Sequence, residues 1–313
     1  MSDAPCFARG TQILTPSGYV PVENLAPADP VITAAGERAA IRWIGRVTVD
    51  IAAHPRPEAV RPIRFAAGSL APGIPARPLT LSPDHGLFFE GVLVPAKRLV
   101  NAATITCEAL PAITYLHLEL DRHDIIFADA AAVETYLDTG NRDAFTTGAG
   151  NFGRTARHDA RAAAPLALSG PVLRDIRATI RARTETLGYK RRTFADITVW
   201  LEGTPYHRTT GPAARPRYNL PPGGGLATIL SRKFVPADLD PAAEDYRPLG
   251  IALHHIKLGP KIFDPRALAV CGLHPRAAGD CADWTDGRAI LDIPPGAGPL
   301  ELGIAALPQG WTR

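Results

Sequence analysis

Long apolar runs are missing from this sequence. No stretch of about 18 consecutive hydrophobic residues occurs, so no membrane-spanning helix is predicted. The start lacks a basic segment followed by an apolar one, which excludes a secretory signal peptide. The expectation is a cytoplasmic protein, or one exported by a route that needs no signal. Cysteine is scarce: Cys6, Cys107, Cys271 and Cys281 are the whole set, and their spacing gives no disulfide framework. No paired C-x-x-C occurs. A zinc site needs four ligands at tighter spacing than Cys271, His274 and Cys281 offer, so no metal and no cofactor are expected. Charge is thin as well, at 21% of residues, whereas Pro 31 and Gly 28 favour many short strands and turns over long helices. With 313 residues, 46% of them hydrophobic, the chain has material for about two cored domains.

The net charge of +3 hides an asymmetry. Residues 1–145 carry a net −4 and the remainder +7, and the excess is concentrated in residues 154–192. No nucleic-acid fold motif accompanies this basic stretch, and it reads as a solvated helix face with no nucleic-acid partner.

Hydrophobic patterning divides the chain into residues 1–145, a linker at 146–170, and 171–313. The first part reads as short strands: Ile13-Leu14-Thr15 before the Pro16-Ser17-Gly18 turn, Ile41 to Gly45, Pro62 to Phe65, and Thr114 to Asp121. Leu87-Phe88-Phe89 and Val92-Leu93-Val94 flank Glu90-Gly91, which predicts a hairpin. Residues 146–170 are rich in Gly, Ala and Thr without a period. After Gly170-Pro171 the period becomes helical. Leu173, Ile176, Ile180 and Leu187 form one face, Arg174, Arg177 and Arg181 lie beside it, and Gly188 is a stop signal. From Asp196 onward the pattern is β again. The fold class is therefore mainly β, with one amphipathic helix.

The residues that carry chemistry begin with Cys6-Phe7-Ala8-Arg9-Gly10-Thr11, followed by its strand. Leu81-Ser82-Pro83-Asp84-His85-Gly86 places a hydroxyl three positions before a histidine. Tyr115 to Asp129 and then Val133 to Arg142 follow. In this order the motifs resemble the Hint domain, the self-processing module of hedgehog proteins and inteins. The resemblance covers residues 5–145 and implies an all-β horseshoe in which the first cysteine attacks the peptide bond before it. The family's usual hydroxyl is threonine, where this chain has Ser82. His117 falls where inteins usually carry an aspartate.

The chemistry can be argued from the residues themselves. A thiol placed against its own upstream carbonyl attacks intramolecularly, at high effective concentration. Its ordinary pKa of about 8.5 requires a neighbouring base, and the departing nitrogen requires a proton. His85 is the candidate acid because imidazole titrates near neutrality. Ser82 orients the scissile amide or His85, while His117, Asp121 and His123 are further local acids or bases. The expected reaction is an N-to-S acyl shift at Pro5–Cys6, with the protein's own N-terminal peptide as substrate; only five residues precede Cys6. Inteins end in His-Asn, and the matching place here is Val133-Glu134-Thr135, while Asn141 has no neighbouring histidine. Full splicing is thus not expected, and water or an external nucleophile resolves the thioester. Cys107 reads as a buried small hydrophobe.

Ser231 to Ala237, Asp245 to Leu253 and Trp284 to Ala289 resemble a bacterial β-sandwich module that is also found attached to glycosyltransferase-like proteins. Trp284, Asp286 and Arg247 are residue types of a sugar site, which implies a carbohydrate or cell-surface ligand; Trp284 as a core residue beside a Thr285-Asp286-Gly287 turn is the other reading. The rival to self-processing is a catalytically degenerate Hint scaffold carrying such a sandwich.

Overall fold

The structure, a computed structural model, describes residues 6–137, 147–149, 162–276 and 280–313. It forms two compact units, residues 1–189 and 190–313. Both are built mainly of strands.

In the first unit, two sheets enclose one apolar core. Alternation buries Ile13, Phe65, Leu79, Leu81, Leu87, Val133 and Leu118 on the facing sides. The shortest strand, Phe7–Ala8, lies inside the larger sheet. It pairs antiparallel with Leu79–Leu81 on one side and Ala112–Leu120 on the other, so Phe7 stands opposite both Leu81 and Leu116. Ala112–Leu120 then pairs with the 13-residue strand Arg38–Asp50, with a register shift between Glu119 and Leu120. In the second sheet, Ile125–Ala128 joins Gln12–Thr15 to Ala131–Glu134, and Ala131–Glu134 joins Gly86–Phe89. The expected hairpin is present: Gly86–Phe89 pairs with Val92–Pro95. Its turn residues, Glu90 and Gly91, both have positive φ, 44° and 94°, the geometry whose twist suits a two-residue hairpin.

Two expectations about the middle of the chain need correction. The helix is present as Pro171–Thr186, but it belongs to the first unit. Leu173 and Ile180 are buried in the core of that unit, and Ile176 packs against it. An amphipathic period reveals that a face is covered, not which domain covers it. Arg177 is buried as well, so it does not share the solvated face assigned to the basic stretch. Thr184 is fully buried; its Oγ1 accepts from Asn101 Nδ2 at 2.9 Å, and Asn101 Oδ1 accepts from the main-chain N–H groups of Ala103, Thr104 and Ile105. Gly188 ends the helix with φ +90°.

The expected linker is partly structured. Thr147–Ala149 adds an edge strand to Arg38–Asp50, with Gly148 opposite Gly45. Further on, Leu93 N–H donates to Pro165 O at 2.8 Å and Ala167 N–H to Leu93 O at 2.8 Å, with Ala164 buried beside Leu93 and Ile125. Main-chain hydrogen bonds hold both pieces, and these leave no hydropathy period. Residues 138–146 and 150–161, including Asn141, lie outside the described residues.

The second unit is β-rich around its own core. Its long strand Asp283–Ile293 takes part in two ladders. Arg288 to Ile293 pair with Gly225–Ser231, while Asp283 and Trp284 pair with Ala252–Leu258. The buried set Val199, Ile229, Leu253, Ile256, Leu291 and Leu302 comes from strands on both sides of that switch.

Candidate active site

The three-stranded register of the first unit builds the site. Extending the pairs Phe7–Leu81 and Phe7–Leu116 by one residue puts Cys6 between Ser82 and His117. Residues directly opposite each other on antiparallel strands send their side chains to the same face. The contacts follow. Cys6 N–H donates to Ser82 Oγ at 2.7 Å, and Ser82 N–H donates to Cys6 O at 2.9 Å. Ser82 therefore clamps the main chain of Cys6 on both sides. Cys6 Sγ lies 2.7 Å from His117 Nε2.

Burial sets the protonation states. Cys6 is 5% exposed, packed with Val49, Ile51 and Tyr115. This desolvation pushes its thiol well above the ordinary range, against the opposing hydrogen bond from Ser82. His117 is fully buried, and desolvation, reinforced by His85, holds it well below the ordinary imidazole value. The resting pair is thus a neutral thiol donating to a neutral imidazole. The Tyr136 ring lies 5.1 Å from the His117 ring and fixes its plane.

His85 reaches the site by the short turn from Ser82, closed by His85 N–H to Ser82 O at 3.2 Å. Its ring meets the Phe7 ring edge-on at 4.6 Å. Nε2 donates to Glu134 O at 3.2 Å, and this leaves Nδ1, buried, with no hydrogen-bond partner among the described residues. Burial lowers the His85 pKa; the Glu134 carboxylate and the Cys6 carbonyl pull the other way.

Ser82, His85 and His117 therefore converge on Cys6; the other two candidate residues do not. Asp121 is exposed, in the turn after Ala112–Leu120. It lies five residues beyond the position opposite Phe7, roughly 15 Å along a strand. Alternation carried it into the motif, but the strand ends before it. His123 is buried yet faces away from the thiol: Nδ1 accepts from Ala163 N–H at 2.8 Å, and Nε2 lies 3.2 Å from Glu134 Oε2. Sequence reasoning missed Glu134. Its Oε1 accepts from Gly86 N–H at 2.6 Å, and its carbonyl holds His85. The signal was a carboxylate standing where an asparagine was sought. Cys107, expected to be buried, is exposed, because the strand Ile105–Cys107 ends on it at the sheet edge.

In the second unit each candidate ligand residue has an internal partner. Arg247 is held by Asp245 through bonds of 3.0 and 2.7 Å, and Trp284 packs edge-on against Phe234 at 5.9 Å. Asp286 accepts from Arg288 N–H at 2.9 Å. His274 Nε2 bonds Pro248 O at 3.0 Å, and Cys271 and Cys281 are exposed thiols.

The first unit is thus a mainly-β domain that presents a buried thiol, immediately before its first strand, to a histidine of a neighbouring strand. Residues 5–140 match the family model of the Hint domain. Similar solved structures include the Msm DnaB1 intein splicing domain bound with zinc, at 15% identity, covering 41% of this chain and 98% of that one, TM-score 0.30. The bacterial intein-like domain from Clostridium thermocellum is 16% identical, with 42% and 97% covered and TM-score 0.30. The gp41-1 intein is 11% identical, with 41% and 97% covered and TM-score 0.31. No curated protein matches the chain. A Hint domain supports a self-processing capacity in general.

Proposed function

We propose that this chain cleaves itself by an N-to-S acyl shift at Pro5–Cys6. The observation that carries the reading is the Cys6 thiol, 2.7 Å from His117 Nε2, with its own N–H held by Ser82. His117 takes the thiol proton as Sγ bonds to the Pro5 carbonyl carbon. The C–N bond then breaks, and the nitrogen of Cys6 gains a proton while the acyl group stays on sulfur. With Nε2 of His85 committed to Glu134 O, Nδ1 is the atom left to deliver that proton, and it does so only from the imidazolium form. Splicing does not follow, since Glu134 stands in the place of the cyclising asparagine. Water or an external nucleophile resolves the thioester.

Intact-mass analysis of the purified full chain, with and without a strong thiol, tests this. Thiol-dependent release of the peptide upstream of Cys6, abolished in Cys6→Ala and slowed about 10²–10⁴-fold in His117→Ala, is expected. A chain that stays whole in strong thiol overturns the proposal in favour of a degenerate scaffold.

A further inference from the structure

Glu134 and His123 lie behind His85 and have no part in the acyl shift as written. Glu134 makes three contacts around the acid, one of them to His85 itself. Its carbonyl accepts from His85 Nε2 at 3.2 Å, one carboxylate oxygen accepts from the N–H of Gly86 at 2.6 Å, and the other faces His123 Nε2 at 3.2 Å. The Gly86 contact is tight enough to fix the residue, since a Cβ at Gly86 would fall 2.7 Å from Glu134 Oε1. His123 is oriented in turn by a residue outside the family match. Ala163 N–H donates to His123 Nδ1 at 2.8 Å, so that ring carries its proton on Nε2, which lies 3.2 Å from Glu134 Oε2. The main-chain bonds of Pro165 and Ala167 to Leu93 hold Ala163 there.

We propose that Glu134 and His123 are a positioning pair for His85. The Glu134 carbonyl selects the His85 tautomer that leaves Nδ1 for the departing nitrogen, its carboxylate stabilises the His85 imidazolium, and His123, with Nε2 3.2 Å from Oε2, sits against that carboxylate and tempers it. The inference rests on the proposed role of His85, and the pair itself touches no reacting atom. The titratable groups facing His85 are Glu134 from Ala131–Glu134, His123 from the turn before Ile125–Ala128, His117 from Ala112–Leu120, and Cys6. Of their side chains only that of Glu134 favours the charged ring, beside the Cys6 carbonyl, which is why its carboxylate matters more than its size.

The two members of the pair act in opposite directions, which gives a test that a structural role would fail. The full-length chain is studied as Cys6→Ser for NMR titration of the His85 ring and with native Cys6 for cleavage kinetics. Glu134→Gln should lower the His85 titration and slow cleavage about three- to tenfold at neutral pH, while Glu134→Asp restores part of both. His123→Ala should raise the His85 titration. Both substitutions are expected to lower the melting temperature, so only the opposite titration shifts report on positioning. Unchanged titration of His85 in both Glu134→Gln and His123→Ala overturns the inference. If Glu134→Gln does not fold, an unmoved or lowered His85 titration in His123→Ala overturns it alone. Absence of cleavage in the parent chain is the failure of the acyl-shift reading, and the NMR arm is independent of it.

Discussion

At the scale of single residues, reactivity and stability are governed by the same burial. The nucleophilic form of cysteine is the thiolate, and Cys6 is held as the thiol by desolvation. Iodoacetamide at pH 7.5 should therefore modify the exposed Cys107, Cys271 and Cys281 in the native protein while sparing Cys6, and modify all four after denaturation; peptide mapping reads the outcome, and native labelling of Cys6 at the rate of the others would contradict it. Fast alkylation is consequently no guide to whether the site is live. The same groups set a pH window. The folded values of His85 and His117 lie below the ordinary value of about 6.5, so their contribution to stability is complete above that pH and is lost as pH falls through the window beneath it. The folded Cys6 thiol lies above its ordinary value of about 8.5, so its contribution is complete below that pH and lost as pH rises. Urea unfolding of the first unit should show greatest stability between the two, with the acid limb flattened in His117→Gln. Cleavage should follow another rule. It requires His85 charged and His117 neutral, and because His117 is the more strongly depressed, the rate should increase from pH 8 to pH 6. A rate that increases with pH over that range would remove His85 as the acid.

At the scale of elements, the helix Pro171–Thr186 decides how much of the chain the Hint domain needs in order to be stable. It supplies Leu173 and Ile180 to the core, and Thr184 to the Asn101 network. Ile180→Ala should cost about 2–5 kcal/mol, measured by urea unfolding of the first unit, whereas an exposed change such as Arg174→Ala should cost little. Asn101→Ala strands three main-chain donors and should rival it. The longer strands, the hairpin at Glu90-Gly91, the helix and its stop at Gly188 were legible in the sequence, because each is written in side-chain period or turn chemistry; the short strands Phe7–Ala8, Leu79–Leu81 and Ile105–Cys107 were not. The edge strand Thr147–Ala149 and the docking of Pro165 and Ala167 were not, because only main-chain bonds make them. In the site, Cys6, Ser82 and His85 were legible as a motif. His117 became central through register, which the sequence does not display, and Glu134 was read for the residue it replaces.

At the scale of the whole molecule, two cores without shared residues imply separable behaviour. Ile256→Ala, in the core of the second unit, should destabilise that unit by about 2–5 kcal/mol and leave the rate of self-cleavage unchanged. Calorimetry of the full chain together with intact-mass kinetics reads both; a matching loss of cleavage well below the melting temperature would show that the units are coupled. The second domain was legible as β-rich; its residues of sugar-site type, Arg247, Trp284 and Asp286, are engaged by Asp245, Phe234 and the Arg288 N–H, contacts that the sequence does not display.

The clamp that Ser82 places on Cys6 has a consequence for the direction of the reaction. Once sulfur holds the acyl group, the nitrogen of Cys6 becomes a free amine, still gripped in an enclosed site. Desolvation disfavours its ammonium form, so the amine stays neutral and nucleophilic beside the thioester it has just left. On the proposed acyl shift, the site would then work as a reversible latch that closes again by S-to-N return. Because that return competes with hydrolysis, release of the upstream peptide should be slow in water alone and faster with an external nucleophile that intercepts the acyl group.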